Sequence, residues 1–210
     1  MNATLQLLFA TPVLIVDIPE IPQEDHDFLL NTNYTSGEGE QGLFKKTTDT
    51  YILKNRNSKL TTWLQEQINL FAVSMLACNT PIKITQSWCL KHENQPQQVF
   101  THSHPNSFIS GAYYVSAPEG TANLRFNRPT PSSQPYIKWE NPEELLADQP
   151  WNWTWHEIPV QTGRLILFPS QIPHSVEGTS VNSNSRCVLS FNTWFDGPIG
   201  DSNKLTALGF

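Results

Sequence analysis

Two histidines separated by one residue, His102 and His104, have the types and the spacing of metal ligands. Successive side chains of a β-strand point to opposite faces, so two residues at this spacing share a face. Two imidazole nitrogens on one face can bind one metal ion. Two exposed histidines at a strand edge would give the same pattern. The pair therefore needs a third ligand before it predicts a metal site.

That third ligand could be His174, which follows a short apolar segment far along the chain. Gly163 marks a turn, residues 164–168 predict a strand, and Pro169 ends it. His174 then follows the end of the predicted strand, 70 positions after His104 (174 − 104). That interval has room for several strands, which could bring His174 back beside the pair.

Arg186 opens the next predicted strand. By alternation it shares a face with Ser190 and Asn192. The other face carries side chains suited to packing: Cys187, Leu189, Phe191, Thr193 and Phe195. An arginine is almost never fully buried unless it is paired. We therefore expect an anion to meet Arg186, and a carboxylate bound through two hydrogen bonds is the natural partner.

Taken in order, these motifs resemble the iron(II)- and 2-oxoglutarate-dependent oxygenases, in particular a prolyl-hydroxylase-like branch found in bacteria and phages. The resemblance covers residues 84–196 and extends more loosely to residues 8–13. Four motifs carry it: His-x-His at 102–104, Ser-Gly-Ala-Tyr-Tyr-Val at 110–115, the segment from Gly163 through Leu-Phe-Pro-Ser to His174, and the segment from Arg186 to Asn192. Each motif alone is weak evidence for the family, but all four occur in the order that the family has, which makes the resemblance specific.

The resemblance implies a mainly β fold, the double-stranded β-helix (a jelly roll or cupin-like barrel), with supporting N-terminal helices. It implies Fe(II), 2-oxoglutarate as co-substrate, and O2. The expected reaction hydroxylates an unactivated C–H bond and converts 2-oxoglutarate and O2 to succinate and CO2, with desaturation or halogenation as other outcomes. Two alternative functions stay open, namely a cupin-type metal-dependent enzyme and a non-catalytic binding or virion-associated β-barrel module.

The resemblance also assigns individual residues to the site. The implied metal ligands are His102, His104 and His174. The implied contacts of 2-oxoglutarate are Arg186, Ser190 and Tyr114. The further catalytic or pocket candidates are Asn192, Tyr113 and Trp88. Because Tyr113 and Tyr114 point to opposite faces of one strand, only one of them can face the co-substrate.

His104 departs from the usual pattern of the superfamily, which has a carboxylate at this position. Three neutral imidazoles would leave bound iron with two formal positive charges, and they would also suit Zn or Cu(II). Alternatively, His104 stays unbound and the site keeps two histidines and an extra water. The nearest carboxylates, Glu93 and Glu119, do not lie at strand spacing from His102.

The elements that must position these residues are short strands preceded by helices. Apolar residues at helical spacing predict a helix over 58–77, and residues 24–32 suggest a shorter one. Residues 7–18 predict a pair of strands broken at Pro12. Six apolar runs bounded by turn residues predict a β-sandwich or barrel: 82–90, 108–117, 122–127, 152–160, 163–169 and 186–195.

We therefore expect a single oxygenase domain over 1–210. In it, residues 1–80 supply an N-terminal strand and helical support, residues 81–197 form the double-stranded β-helix, and residues 198–210 form a C-terminal tail.

Composition narrows the partners and the location. With 13 Lys and Arg residues against 19 Asp and Glu, the net charge is −6, which disfavours long nucleic acid as a partner.

The sequence lacks a run of about 18 apolar residues and a recognisable signal peptide, so we expect a cytoplasmic protein without membrane attachment. Three cysteines without close spacing indicate neither a disulfide framework nor a thiolate metal site. The substrate could be a small molecule or a peptidyl group.

Overall fold

Short strands dominate the chain after residue 81. The computed structural model describes residues 10–36, 44–93, 96–129, 153–181 and 185–208. The strands within these ranges are β1 (Leu14–Asp17), β2 (Tyr34–Ser36), β3 (Lys45–Thr47), β4 (Ile82–His92), β5 (Pro96–His102), β6 (Ile109–Ser116), β7 (Leu124–Asn127), β8 (Trp155–Ile158), β9 (Arg164–Pro169), β10 (His174–Val181) and β11 (Arg186–Phe195). The helices are α1 (Gln23–Asn31), α2 (Lys59–Leu76) and a short 3-10 helix (Ser202–Lys204). In this part of the chain, no helix is both long and apolar enough to cross a membrane.

The strands form two antiparallel sheets. The larger sheet has the order β1-β9-β6-β11-β4-β3-β2, and the smaller has the order β5-β10-β7-β8. The last strand, β11, lies between β4 and β6, so the centre of the larger sheet is built from segments far apart in sequence. This mainly β arrangement of two sheets is the jelly-roll fold, the double-stranded β-helix that the sequence predicts.

Helix α2 packs against the larger sheet and supports it. Ser58 caps the helix, because its hydroxyl accepts from the Thr61 N–H while its own N–H is bonded to Thr61 Oγ1. The helix ends at Ala77, which has a left-handed conformation with φ of 52°. The buried side chains of α2 join those of the sheet in one apolar cluster, which includes Leu64, Ile68, Phe71, Tyr113 and Leu189.

Alternation along the central strands divides the core into two layers. On β11, Cys187 and Leu189 face the helices, whereas Val188 belongs to a second apolar cluster shared with the smaller sheet. Strands β6 and β9 alternate in the same way, so Tyr114 and Phe168 belong to this second layer. The cavity that contains the polar candidates lies within the second layer, between the two sheets.

The structure confirms both predicted helices and contains strands that the sequence does not predict. Of the strand pair predicted over 7–18, the strand after Pro12 is confirmed as β1, and most of the segment before Pro12 lies in residues 1–9, outside the described ranges. Strands β2, β3, β5 and β10 are absent from the predicted strands. All four are rich in polar residues, with sequences YTS, KKT, PQQVFTH and HSVEGTSV, so hydrophobic alternation does not indicate them.

Candidate metal centre and co-substrate pocket

Three histidines meet where β5 and β10 pair. His102, the last residue of β5, lies directly opposite His174, the first residue of β10. His104 follows shortly after β5, and one ring nitrogen from each histidine lies within 4.8 Å of the other two. The Nε2 atoms of His104 and His174 are 3.2 Å apart. Two nitrogens that bind one ion at right angles, each at about 2.1 Å, are about 3 Å apart, so this spacing fits a shared metal ion.

His102 and His104 do not share the face of one strand, contrary to the prediction from their spacing. Strand β5 ends at His102, and His104 lies in the loop that follows. The backbone N–H of His104 donates to the carbonyl of Ser170 at 3.0 Å, which ties this loop to the one after β9. The two imidazoles therefore converge because the chain leaves the strand between them.

Backbone carbonyls orient two of the three rings. Nδ1 of His102 donates to the Phe100 carbonyl at 2.7 Å, and Nδ1 of His174 donates to the Ile172 carbonyl at 2.9 Å. A carbonyl oxygen can only accept, so Nδ1 carries the hydrogen in both rings and Nε2 keeps its lone pair. Hydrogen bonds of this kind fix the tautomer and orientation of metal-binding histidines. Both Nε2 atoms can therefore act as ligand atoms.

Burial keeps two of the imidazoles neutral. His174 is 6% exposed and packs against the ring of Phe168, with 4.7 Å between ring centroids. Desolvation lowers the pKa of His174 to about 3 and the pKa of His104 to about 4. Metal ions bind the neutral imidazole. At neutral pH both rings are therefore in the form that binds a metal.

The cluster contains three imidazoles and, among the described residues, no carboxylate. Glu93, one alternative ligand suggested by the sequence, forms ion pairs with Lys45 at 2.7 Å and with Lys91 at 3.0 Å. Glu119, the other alternative, is not part of the cluster. His104 is therefore the side chain that stands where the superfamily usually has a carboxylate.

Arg186 is buried at the start of β11 without an acidic partner among the described residues. Its side chain is 2% exposed, and its guanidinium carbon lies 5.3 Å from the centre of the Tyr114 ring. Nη1 lies 3.4 Å from His92 Nδ1, whereas Nε of Arg186 and the hydroxyl of Tyr114 are buried with no hydrogen-bond partner. Unsatisfied buried donors are costly. They fit a ligand that accepts hydrogen bonds, as the carboxylate expected from the sequence would.

His92 belongs to the site and is not predicted from the sequence. It lies opposite Arg186 in the ladder between β4 and β11. Desolvation, together with the neighbouring guanidinium, lowers the pKa of His92 to about 4. The ring is therefore neutral, and its Nδ1 can accept from Arg186 while Nε2 donates to the Gln98 carbonyl at 3.5 Å. The pairing of β4 with β11 would have indicated this contact, but the sequence does not show the register.

The three histidines and Arg186 line one cavity of about 540 Å³. Tyr114, Ser190 and Trp88, all predicted site residues, line it as well. The centre of the Trp88 ring lies 5.9 Å from that of His104. Three polar lining residues are not predicted from the sequence: Lys46, Thr50 and Gln86.

Two predicted pocket residues lie elsewhere. Tyr113 faces the helices, and its hydroxyl is 2.6 Å from Nε2 of His26. Its assignment to the pocket is therefore corrected, because alternation turns its side chain away from that of Tyr114. Asn192 does not line the cavity either; its Oδ1 accepts from the Ser110 hydroxyl at 3.2 Å.

Comparison with known families gives a match over residues 86–192, to the family described as "Putative 2OG-Fe(II) oxygenase". The match spans slightly more than half of the chain and includes the three histidines and Arg186. The chain belongs to this family. Members use Fe(II), 2-oxoglutarate and O2. The imidazole cluster of this oxygenase and its unsatisfied buried donors fit those groups, and the match favours an oxygenase over the cupin-type alternative.

Solved structures share the fold of this oxygenase. The epimerase SnoN from nogalamycin biosynthesis is 14% identical, with a TM-score of 0.59 over 90% of this chain and 80% of SnoN. The carbocyclase SnoK from the same biosynthesis is 12% identical, with a TM-score of 0.57 over 90% and 81%. HygX from Streptomyces hygroscopicus, solved with nickel, 2-oxoglutarate and hygromycin B, is 12% identical, with a TM-score of 0.53 over 89% and 84%. Identities this low show a common fold alone. No curated protein matches the sequence.

Proposed function

We propose that this oxygenase hydroxylates an unactivated C–H bond while it converts 2-oxoglutarate and O2 to succinate and CO2. The proposed Fe(II) ligands are His102, His104 and His174. The proposed contacts of 2-oxoglutarate are Arg186, Tyr114 and Ser190. Trp88 is proposed to contact the substrate.

One observation supports the proposal above all others. A buried guanidinium and a buried hydroxyl, both with unsatisfied donors, share a cavity with three converging imidazoles. A dicarboxylate with one end at the imidazole cluster and the other at Arg186 would satisfy both donors. The planar guanidinium suits two-point binding of a carboxylate. Ser190 lies on the same face of β11 as Arg186 and adds a hydroxyl donor to the same wall.

The protein's own groups hold and shield the site. Bound Fe(II) supplies the oxidising chemistry. The carbonyls of Phe100 and Ile172 keep two imidazoles in the orientation that presents Nε2. Apolar side chains beside the cluster, Phe168 and Val176 among them, restrict water on that side of the cavity. Three protein ligands leave further coordination positions for the co-substrate and O2.

Hydroxylation is the outcome that we propose, because it needs no reactive side chain besides those that hold the metal and the co-substrate. The described residues that line the cavity include no cysteine, so the proposal does not include an outcome that depends on hydrogen return from a thiol.

Anaerobic titration with Fe(II) and 2-oxoglutarate tests the proposal, because the chelate gives a visible charge-transfer band. Arg186→Met should preserve the fold and metal binding but weaken 2-oxoglutarate binding by about 2–4 kcal/mol. Arg164→Met is the matched control, because Arg164 is paired with Asp17 at 2.8 Å and does not line the cavity. Normal turnover of 2-oxoglutarate by Arg186→Met would contradict the proposal. If the parent binds metal but not 2-oxoglutarate, the non-catalytic binding module is the better interpretation.

A further inference from the structure

Among the residues that the structure describes, the cavity is lined by positive charge that no acidic side chain of the lining balances. Its described lining contains two cationic side chains, Arg186 and Lys46, and no Asp or Glu. The chain as a whole has a net charge of −6. The positive charge is therefore a local property of the cavity and not a reflection of overall composition.

The register of β3 on β4 places Lys46 at the cavity. Lys46 lies opposite Leu90, whereas its neighbour Lys45 lies opposite Lys91. Lys45 forms an ion pair with Glu93 at 2.7 Å; none of the ion pairs in the described part of the chain includes Lys46. Alternate residues of β4 line the same cavity, namely Gln86, Trp88 and Leu90, and Leu90 is the one opposite Lys46. The two adjacent lysines thus differ: Lys45 is paired with Glu93, whereas Lys46 is exposed to solvent, has no ion-pair partner among the described residues and lines the cavity.

The proposed cofactors do not remove this excess charge. Three neutral imidazoles bring no negative charge, so the charges of a divalent ion and of the 2-oxoglutarate dianion cancel each other. In the usual ligand set one ligand is a carboxylate, and its negative charge would offset one of the cationic side chains. With His104 in that position, Arg186 and Lys46 both contribute a formal positive charge that the cofactors leave uncompensated.

We propose that the primary substrate is a small organic anion whose carboxylate or phosphate group binds Lys46 while its apolar part packs on Trp88. The inference rests on the proposed function, because it takes Arg186 to be occupied by 2-oxoglutarate. Gln86 and Thr50 line the same cavity and can donate hydrogen bonds to an oxyanion. The centre of the Trp88 ring is 5.9 Å from that of His104, so a molecule lying on Trp88 is next to the imidazole cluster.

The size of the cavity also favours a small molecule over a macromolecular partner. A volume of about 540 Å³ lies within the range of small-molecule sites. Part of that volume is taken by 2-oxoglutarate in the proposed complex. The remainder holds a compact acid, and one charge contact with Lys46 supplies both affinity and orientation.

Calorimetric titration of protein loaded with Ni(II) and 2-oxoglutarate tests this proposal without turnover. The probes are phenylacetate, phenyl phosphate and the neutral phenylacetamide, which share an aromatic ring that can pack on Trp88. At least one anion should bind about tenfold more tightly than phenylacetamide, which corresponds to about 1.4 kcal/mol. Added salt should reduce the difference. Whichever of the two anions binds more tightly shows whether the group at Lys46 is a carboxylate or a phosphate.

Lys46→Met should abolish the preference for the anion, and Lys45→Met, on the opposite face of the same strand, should keep it. Equal affinity for anion and amide, no binding of any probe up to its solubility limit, or an unchanged preference in Lys46→Met would overturn the proposal. Binding of 2-oxoglutarate is measured first on the parent protein. Its absence would refute the proposed function, whereas its presence without a charge preference would refute the substrate class alone.

Discussion

Arg186 is held by a neutral histidine rather than by a carboxylate. His92 accepts from Nη1 at 3.4 Å, and its lowered pKa of about 4 keeps the ring uncharged at neutral pH. A carboxylate at this position would neutralise the guanidinium and compete with any acidic ligand. His92 instead orients Arg186 and leaves its charge available. In this way the pairing of β4 and β11 prepares a site for an anion.

We predict that His92→Leu weakens binding of 2-oxoglutarate about tenfold, about 1.4 kcal/mol, because Arg186 loses the acceptor that orients it. His92→Gln keeps a hydrogen-bonding group and should lose less affinity. Binding of Co(II), measured in parallel, should stay unchanged in both variants, which separates positioning of Arg186 from damage to the metal site. Parent-like 2-oxoglutarate affinity in a folded His92→Leu variant would contradict this role.

At the metal site, His104→Ala should weaken binding of Fe(II) or Co(II) at least about tenfold, about 1.4 kcal/mol, because one of three converging nitrogens is removed. His104→Asp should still bind metal, since it places a carboxylate where the superfamily usually has one. Equilibrium titration of the two variants beside the parent gives the comparison. Unchanged affinity in His104→Ala would support a site of two histidines and an extra water.

At the scale of the elements, strands β6 and β11 pack so closely that the ring of Phe191 occupies the space of a side chain at Gly111. A Cβ added at Gly111 would lie 2.1 Å from Cζ of Phe191. Phe191 is 1% exposed and belongs to the layer under the helices, so its ring cannot move into solvent. Gly111 therefore leaves the space that the ring of Phe191, its partner on the neighbouring strand, occupies.

We predict that Gly111→Ala lowers the free energy of unfolding by about 1–3 kcal/mol, the usual effect of overpacking a core. Phe191→Leu shortens the facing side chain, so the double variant should be more stable than the sum of the single effects implies. Urea unfolding of the parent, both single variants and the double variant measures the coupling. Strictly additive effects would show that the contact with Phe191 does not limit residue 111.

The elements also show which parts of the site the sequence can predict. Alternation along 186–195 correctly separates Arg186 and Ser190 from the packing face of Leu189, because a strand buried on both faces still alternates in residue type. It also predicts that Tyr113 and Tyr114 diverge. The register between paired strands cannot be predicted in the same way, because it depends on which strands pair. The contacts of Arg186 with His92 and of Lys46 with the cavity follow from β4 pairing with both β11 and β3, and no local pattern indicates those pairings.

At the scale of the whole molecule, buried neutral histidines make stability depend on pH. The pKa values of His92 and His104 are about 4 and that of His174 is about 3, all below the ordinary value of about 6.5. As the pH falls below about 6.5, the unfolded chain binds protons before the folded protein does. The stability of the metal-free protein should therefore fall between about pH 6.5 and about pH 3, and the loss from these groups should level off below that range.

Urea unfolding of the metal-free protein at about pH 7 and about pH 5 measures this effect, which should amount to a few kcal/mol. His92→Gln should make the loss smaller, because one of the three groups no longer titrates. His156→Gln serves as the control, since His156 is exposed on β8. Equal stability at the two pH values would contradict the prediction.

The register that sets His102 opposite His174 has a consequence for the lifetime of the protein in a cell. The two residues are 72 positions apart (174 − 102), and β5 is an edge strand of the smaller sheet. An ion bound to both acts as a cross-link that holds this edge in place and shortens a long loop of the unfolded chain. Chain made without the ion would lack this cross-link, so local opening of β5 would expose the segment to proteases more often. Its abundance would then follow the supply of iron, even at a constant rate of synthesis.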